Sequence, residues 1–201
     1  HLFQNGRDYI VNQHVLTPRP ETEVLIDRLK NNGKVASLLD IGTGTGCIAI
    51  TASLENLADQ IYATDISSKA IQVAQENMVL HSISTIQLAK HDFFNQNFKS
   101  KFNLVISNPP YIGLNDMDTL QKEVRLFDPS VALTDKNDGL NFYRHFANQF
   151  RKLVIPDGYL LLEVGGNSQK EAVETIFQNA GLKTEWFKDL QEDYRVVEVR
   201  S

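Results

Sequence analysis

Val35-Ala36-Ser37-Leu38-Leu39-Asp40-Ile41-Gly42-Thr43-Gly44-Thr45-Gly46 passes from an apolar run to a carboxylate and then to alternating glycines. Residues 35–41 read as a buried strand, and residues 46–55 as the helix that follows it. Glycines permit a tight turn and let a ligand approach the backbone closely. The start of a helix offers free N–H groups that favour a carboxylate or phosphate. A bare G-x-G-x-G can also be a plain glycine-rich turn. Its place at the handover from strand to helix favours a ligand loop.

Working outward, strand-like and helix-like stretches alternate over most of the chain. Residues 60–65 read as a second strand, and Ser67 as the N-cap of a helix carrying Ile71, Ala74 and Met78 on one face. Residues 83–90 and 102–107 are further strands. A long amphipathic helix covers 140–153, Pro156-Asp157-Gly158 reads as a turn, and 159–164 as a fifth strand. Ala172, Val173, Ile176, Phe177 and Ala180 form another helical stripe, stopped by Gly181. Strands at 182–187 and 194–199 finish the chain. The expectation is an α/β fold with a doubly wound, mostly parallel seven-stranded sheet. Residues 1–33 form a lead-in hairpin or helix, and 34–201 the main domain. Ligands of such sheets bind beyond the carboxyl ends of the strands.

Three strand ends carry candidate ligand groups. Asp65 closes the second strand at the separation of about 20 residues seen for a ribose-binding acid. It would equally favour the dipole of the next helix. The glycine loop with Asp65 suggests a nucleoside-bearing ligand, either NAD or S-adenosylmethionine. Against NAD, the spacing is G-x-G-x-G rather than G-x-G-x-x-G. Asp40 beside the loop suits a cationic ligand such as a sulfonium with an ammonium, and not a pyrophosphate. After the third strand, Asp92 could accept from an adenine amino group, and Phe93 could stack on the ring or simply pack in the core.

The fourth strand runs Leu104-Val105-Ile106-Ser107 into Asn108-Pro109-Pro110-Tyr111. Two prolines can continue neither a ladder nor a helix. An amide nitrogen is a poor nucleophile because its lone pair is delocalised. Two acceptors gripping its N–H bonds can draw it toward pyramidal geometry and stabilise the positive charge that develops. The Asn108 side-chain oxygen and the Pro109 carbonyl are those acceptors. Pro109 and Pro110 fix the backbone, and Tyr111 offers a flat face to a planar group. No strong general base is needed, because the nitrogen becomes acidic as it is alkylated. The alternative is a proline-rich strand terminator.

Composition sets outer bounds. The 201 residues are 42% hydrophobic and 22% charged, ordinary for a globular protein, and favour one domain or one with a small appendage. A net charge of −5 argues against a dedicated nucleic-acid binder. The single cysteine, Cys47, leaves no intrachain disulfide and fits a reducing cytoplasm. The five histidines show no metal-ligand spacing, so no metal is expected. No apolar run nears the ~20 residues of a membrane span, and none reads as a signal peptide. The chain begins at His1 rather than Met, which points to a piece of a longer protein.

Asp40 to Gly46, Asp65 and Asn108 to Tyr111 together resemble the class I S-adenosylmethionine-dependent methyltransferases of the amino-group type. That type includes DNA adenine and cytosine amino methyltransferases and protein glutamine methyltransferases. Further stretches narrow the likeness. They are Thr17-Pro18-Arg19-Pro20-Glu21-Thr22-Glu23, Phe127-Asp128-Pro129-Ser130-Val131-Ala132-Leu133, Asp138 to Arg144, Leu162-Glu163-Val164-Gly165 and Arg195-Val196-Val197. With them the chain is similar to the release factor glutamine methyltransferases (the HemK/PrmC family). The resemblance implies a Rossmann-like sheet with an antiparallel last strand. It also implies methyl transfer from S-adenosyl-L-methionine to a glutamine side-chain amide. The target it implies is the Gly-Gly-Gln loop of a peptide chain release factor. Donor contacts would fall on Gly42, Thr43, Gly44, Thr45, Gly46, Asp65, Phe93 and Asn108, and glutamine contacts on Asn108 to Tyr111. Family members often carry Trp at the Phe93 position, and stacking should survive the change. The family's small helical amino-terminal domain is not in this chain. Arg19 could face the donor carboxylate, the protein substrate, or only Glu21 or Glu23. The rival readings are a methyltransferase acting on a ribosomal-protein glutamine or a nucleic-acid base, and a nucleoside-binding module without catalysis.

Overall fold

The computed structural model describes residues 2–4, 6–119 and 128–201. Phe127, one of the residues carrying the resemblance, lies outside the described residues.

The chain opens with a short antiparallel hairpin, β1 (Leu2–Gln4) and β2 (Arg7–Tyr9), and then helix α1 (Thr22–Asn32). The alternation that follows is β3 (Val35–Ile41), α2 (Cys47–Leu54), β4 (Ala58–Asp65), α3 (Ser68–Leu80) and β5 (Ile86–Lys90). The second half comprises β6 (Phe102–Ser107), α4 (Ser130–Leu133), α5 (Asn141–Leu153) and β7 (Val154–Glu163), then α6 (Asn167–Asn179), β8 (Lys183–Lys188) and β9 (Tyr194–Arg200).

The seven strands order as β5-β4-β3-β6-β7-β9-β8. Neighbours from β5 to β7 run parallel, and β9 lies antiparallel between β7 and β8. The chain winds outward from β3 through β4 to β5, then returns to place β6 on the other side of β3. The crevice between β3 and β6 is therefore the topological switch point, where ligands of open α/β sheets bind.

The central strands are mostly apolar because both faces are covered. Leu38, Leu104, Ile106 and Leu161 pack on one face with Leu25 and Leu29 of α1, Ile48 of α2 and Met78 of α3. Leu39, Val105, Leu160 and Leu162 pack on the other with Tyr143 and Phe146 of α5 and Phe177 of α6. Adjacent strand residues point to opposite faces, which is why neighbours such as Leu38 and Leu39 join different clusters.

Two local expectations change. The third strand begins at Ile86, not at residue 83, because Ile83 closes the end of α3 by donating its N–H to the Met78 carbonyl at 2.8 Å. Pro156-Asp157-Gly158 does not end a segment. It lies inside β7 as a bulge, where pairing with β6 jumps from Phe102↔Val154 to Leu104↔Tyr159. Asp157 absorbs the extra residues with a φ of 65°. Among the described residues no helix is long and apolar enough to cross a membrane.

Candidate active site

The glycine loop leaves β3 beside the end of β4. Gly42 and Thr43 donate their N–H groups to the Thr64 carbonyl at 2.8 and 2.9 Å. Gly44 N–H donates to Asp65 Oδ2 at 3.0 Å, and Asp65 Oδ1 accepts from Ser67 N–H at 2.9 Å. The carboxylate thus ties the loop to the start of α3, where Ser67 Oγ caps by accepting from Ala70 N–H. Burial pushes the Asp65 carboxyl above its ordinary value. At Gly46 the φ is 81°, and a Cβ would sit 3.2 Å from both Ala74 Cβ and Ile50 Cδ1. This glycine lets α2 and α3 approach each other; it does not line the cavity.

The cavity at the switch point has a volume of about 290 Å³. Gly42, Thr43, Gly44, Thr45 and Asp65 line one side, with Asp92 and Phe93 beyond β5 and Asn108, Pro109 and Pro110 beyond β6. The structure brings these sequence-predicted residues onto one wall system. Pro18, Thr22, Phe142 and the segment around Val131–Lys136 complete it. Phe93 is both core and wall: it packs in T-shaped geometry on His145 at 4.5 Å and lies 4.6 Å from the Phe146 ring. Asp92 folds onto its own turn. Its Oδ1 accepts from Phe94 and Asn95 N–H, and its Oδ2 from Asn95 Nδ2, bonds that hold its carboxyl below the usual range.

Besides Gly46, three more predicted residues sit elsewhere. Asp40 does not face the cavity. It is fully buried beneath the loop, where its Oδ2 accepts from Thr43 Oγ1 at 2.6 Å and its Oδ1 has no hydrogen-bond partner. Burial raises its carboxyl to about 7. Arg19 reaches past its near neighbours. Its Nη2 meets Asp128 Oδ2 at 2.5 Å, and the same carboxylate accepts from Thr17 N–H at 3.1 Å. This contact staples the segment before α1 to the one before α4. Tyr111 turns its hydroxyl away from the cavity and donates to Glu163 Oε1 at 3.4 Å, and burial pushes the phenol up. Its carbonyl accepts from Gln169 Nε2 at 2.6 Å.

Sequence reasoning gives no individual role to Thr22, Glu163, Asn77 or Gln169. Asn77, wholly buried, takes the Ile10 N–H on its Oδ1 and donates to the carbonyls of Ile10 and Thr45, docking the lead-in segment on the glycine loop. Glu163 ends β7 at the same height as Asn108. The rule that polar groups at carboxyl strand ends deserve scrutiny could have found it. Its Oε2 accepts from Thr22 Oγ1 at 2.8 Å, and Thr22 Oγ1 accepts in turn from Asn108 Nδ2 at 3.3 Å. Burial raises the Glu163 carboxyl to about 7.

A family model for the methyltransferase small domain matches residues 20–128, more than half of the chain. The chain belongs to the methyltransferase small domain family. Within it, the chain is 40% identical to a release factor glutamine methyltransferase of Cereibacter sphaeroides over 197 residues, covering 97% of this chain and 70% of that protein. It is 35% identical to a bifunctional methyltransferase of Rickettsia bellii, covering 96% of this chain but only 40% of that protein. The chain thus spans about two fifths of the length of such bifunctional relatives. Among solved structures, a methyltransferase from Pyrococcus furiosus superposes with a TM-score of 0.71 at 16% identity, covering 97% of this chain and 88% of that one. The ribosomal protein L11 methylase from Lactobacillus delbrueckii subsp. bulgaricus gives 0.68 at 18% identity, with 92% and 80% covered. These two share the fold of this chain.

Proposed function

We propose that this chain transfers a methyl group from S-adenosyl-L-methionine to the side-chain amide nitrogen of a glutamine in a peptide chain release factor. The observation that carries the reading is the shared cavity. A glycine loop with Asp65 and a proline-locked Asn108–Pro110 end face the same space at the switch point. The residues fit the donor. Gly42 to Thr45 shape a backbone cradle, Asp65 offers a carboxylate to ribose hydroxyls, and Asp92 with Phe93 suits a purine amino group and ring. Asp40 contributes by bracing Thr43 from below.

When bound, the donor supplies an electrophilic methyl carbon on a sulfonium. The residues of the chain hold and orient the acceptor. Asn108 Oδ1 and the Pro109 carbonyl accept the two N–H bonds of the glutamine amide, leaving the nitrogen lone pair free to face the methyl carbon. Positive charge that develops on nitrogen is then met by two fixed acceptors. Pro109 and Pro110 keep those acceptors from rotating away. The alkylated nitrogen is strongly acidic and releases its proton to solvent. Tyr111 supports the cradle from behind through Glu163 and Gln169.

The name carried by the Cereibacter relative supports a release factor as the protein partner. The acidic net charge supports a protein over a nucleic acid. Such a substrate belongs to the cytoplasm and calls for neither a membrane nor a metal. Arg19, through Asp128, would shape the approach of the substrate loop rather than touch the donor. Mass spectrometry after incubation with release factor, DNA and RNA side by side, each with labelled donor, tests the reading. Label on a release-factor glutamine supports it, and label on nucleic acid alone overturns it.

A further inference from the structure

Asn108 can serve an N–H-gripping role only one way round. Its oxygen must face the cavity and its NH2 must face the protein. A lone asparagine has no intrinsic preference between these two orientations. Behind it lies Thr22, 2% exposed, and behind Thr22 lies Glu163, fully buried. Once ionised, the Glu163 carboxylate only accepts, so Thr22 then commits its single hydroxyl proton to Glu163 Oε2 at 2.8 Å. Toward Asn108 the hydroxyl can then show only a lone pair, and it receives Asn108 Nδ2 at 3.3 Å.

We propose that Glu163 and Thr22 form a hydrogen-bond relay that sets the orientation of the Asn108 amide, making both of them positioning residues for methyl transfer. The inference rests on the proposed role of Asn108. Glu163 is itself held from two sides. Tyr111 donates to its second oxygen at 3.4 Å, and the Tyr143 hydroxyl donates to its backbone carbonyl at 2.8 Å. The relay joins residues 22, 108 and 163, so it exists only in the folded chain. A glutamine at position 163 could present its NH2 to Thr22. The hydroxyl proton would then be free to point at Asn108 and invite its oxygen inward.

The test compares Glu163→Gln, Thr22→Val and Thr22→Ser in the full chain. Its readouts are donor affinity by calorimetry, kcat and KM on release factor, and the Asn108 side-chain NH2 signals in a nitrogen-15 spectrum of the free protein. The expectation for Glu163→Gln and Thr22→Val is a fall in kcat of about 10- to 100-fold, as for a small misplacement of a reacting group. Donor affinity holds, and the Asn108 NH2 signals move. Thr22→Ser, which keeps the hydroxyl, stays close to the parent in both readouts. The double variant Thr22→Val with Glu163→Gln is no worse than either single one, because one relay is being cut twice. Parent-like kcat and unmoved Asn108 signals in Glu163→Gln would overturn the relay, as would Thr22→Ser behaving like Thr22→Val. If the parent itself fails to methylate release factor, the functional reading falls and the relay's catalytic role with it. Turnover in the parent with an indifferent Glu163→Gln removes the relay alone.

Discussion

The two halves of the cavity are built by different means. The glycine-loop half is held by its immediate neighbours: Gly42, Thr43 and Gly44 bond to Thr64 and Asp65 on the adjacent strand. The Asn108–Tyr111 half is held from far along the chain. Thr22, Glu163 and Gln169 reach it from 86, 52 and 58 residues away. A cradle made of backbone needs few partners, because glycine conformations and strand pairing determine it. A cradle that must aim one side-chain oxygen needs side chains behind it. Damage to the first half should weaken donor binding, and damage to the second should slow turnover while donor binding persists.

The sharpest test of that division is Asn108→Ala. It removes one of two fixed acceptors, and loss of one such charge-stabilising group costs about 100- to 1,000-fold in kcat. Donor affinity should stay near that of the parent. A matching loss of donor affinity would erase the distinction between the halves.

The next effect is a pH dependence, since each half hides one carboxyl. Asp40 lies under the glycine loop and Glu163 behind Asn108, and burial raises both to about 7. Around Glu163, Thr22 and Tyr111 donate to it, Glu21 pushes its value up and Arg195 pulls it down. The folded state therefore holds these protons at pH values where the unfolded chain has released them. Stability from each group is present below about pH 4 and is lost as pH rises toward 7. For Glu163 the displacement from 4.5 to about 7 corresponds to about 3 kcal/mol at most. Turnover should run the other way, rising toward neutral pH as Glu163 ionises and captures the Thr22 proton. His145, whose ring burial pushes below 6.5, opposes the stability trend on the acid side. The decisive quantity is thus the difference between parent and Glu163→Gln in denaturant unfolding from pH 4.5 to 7.5. That difference should grow with pH in favour of the variant; a constant one would mean that Glu163 titrates normally.

A third expectation concerns the support of the second half from the 134–139 loop. Gly139 has a φ of 80°, and a Cβ there would lie 2.3 Å from the Tyr111 carbonyl oxygen. Asp135 holds this loop by accepting from the N–H groups of Asn137, Gly139 and Asn141. Gly139→Ala should cost about 1–3 kcal/mol by overpacking and lower kcat with it. Thermal unfolding and turnover measured together would show whether the strain reaches Asn108.

The same contrast explains what can be read from sequence. Strand periodicity and the glycine run are local signals, so the sheet and the donor half are legible in the order of the residues, whereas the switch point follows from the strand order, which pairing across the sheet decides. The sequence also singles out Asn108, because an amide and two prolines at a strand end are a local peculiarity. The orientation of that amide is not legible, since Thr22 and Glu163 stand 141 residues apart. Arg19 escapes for the same reason: its partner Asp128 is 109 residues away, while Glu21 and Glu23 are close in sequence. The charge of Asp40 suggests a ligand. Burial at the end of β3 and the Thr43 hydroxyl instead turn it inward. The bulge in β7 is hidden because Pro-Asp-Gly has the same composition in a turn and in a bulged strand.

The smallest effect expected is that of Asp65→Asn, and it bears directly on the division. The substitution keeps the shape of the side chain. One oxygen remains to accept from Gly44 or Ser67, but the charge and one acceptor are lost. Hydrogen bonds to a charged group contribute about 1.5–3 kcal/mol, and part of the loss is offset because a neutral side chain is cheaper to bury. Donor affinity should therefore weaken by roughly 10-fold, measured by calorimetry. At saturating donor, kcat on release factor should hold, because nothing in the Glu163–Thr22–Asn108 relay touches Asp65. A fall in kcat at saturation would show that the loop and the amide cradle move together, and the two halves would then be one device.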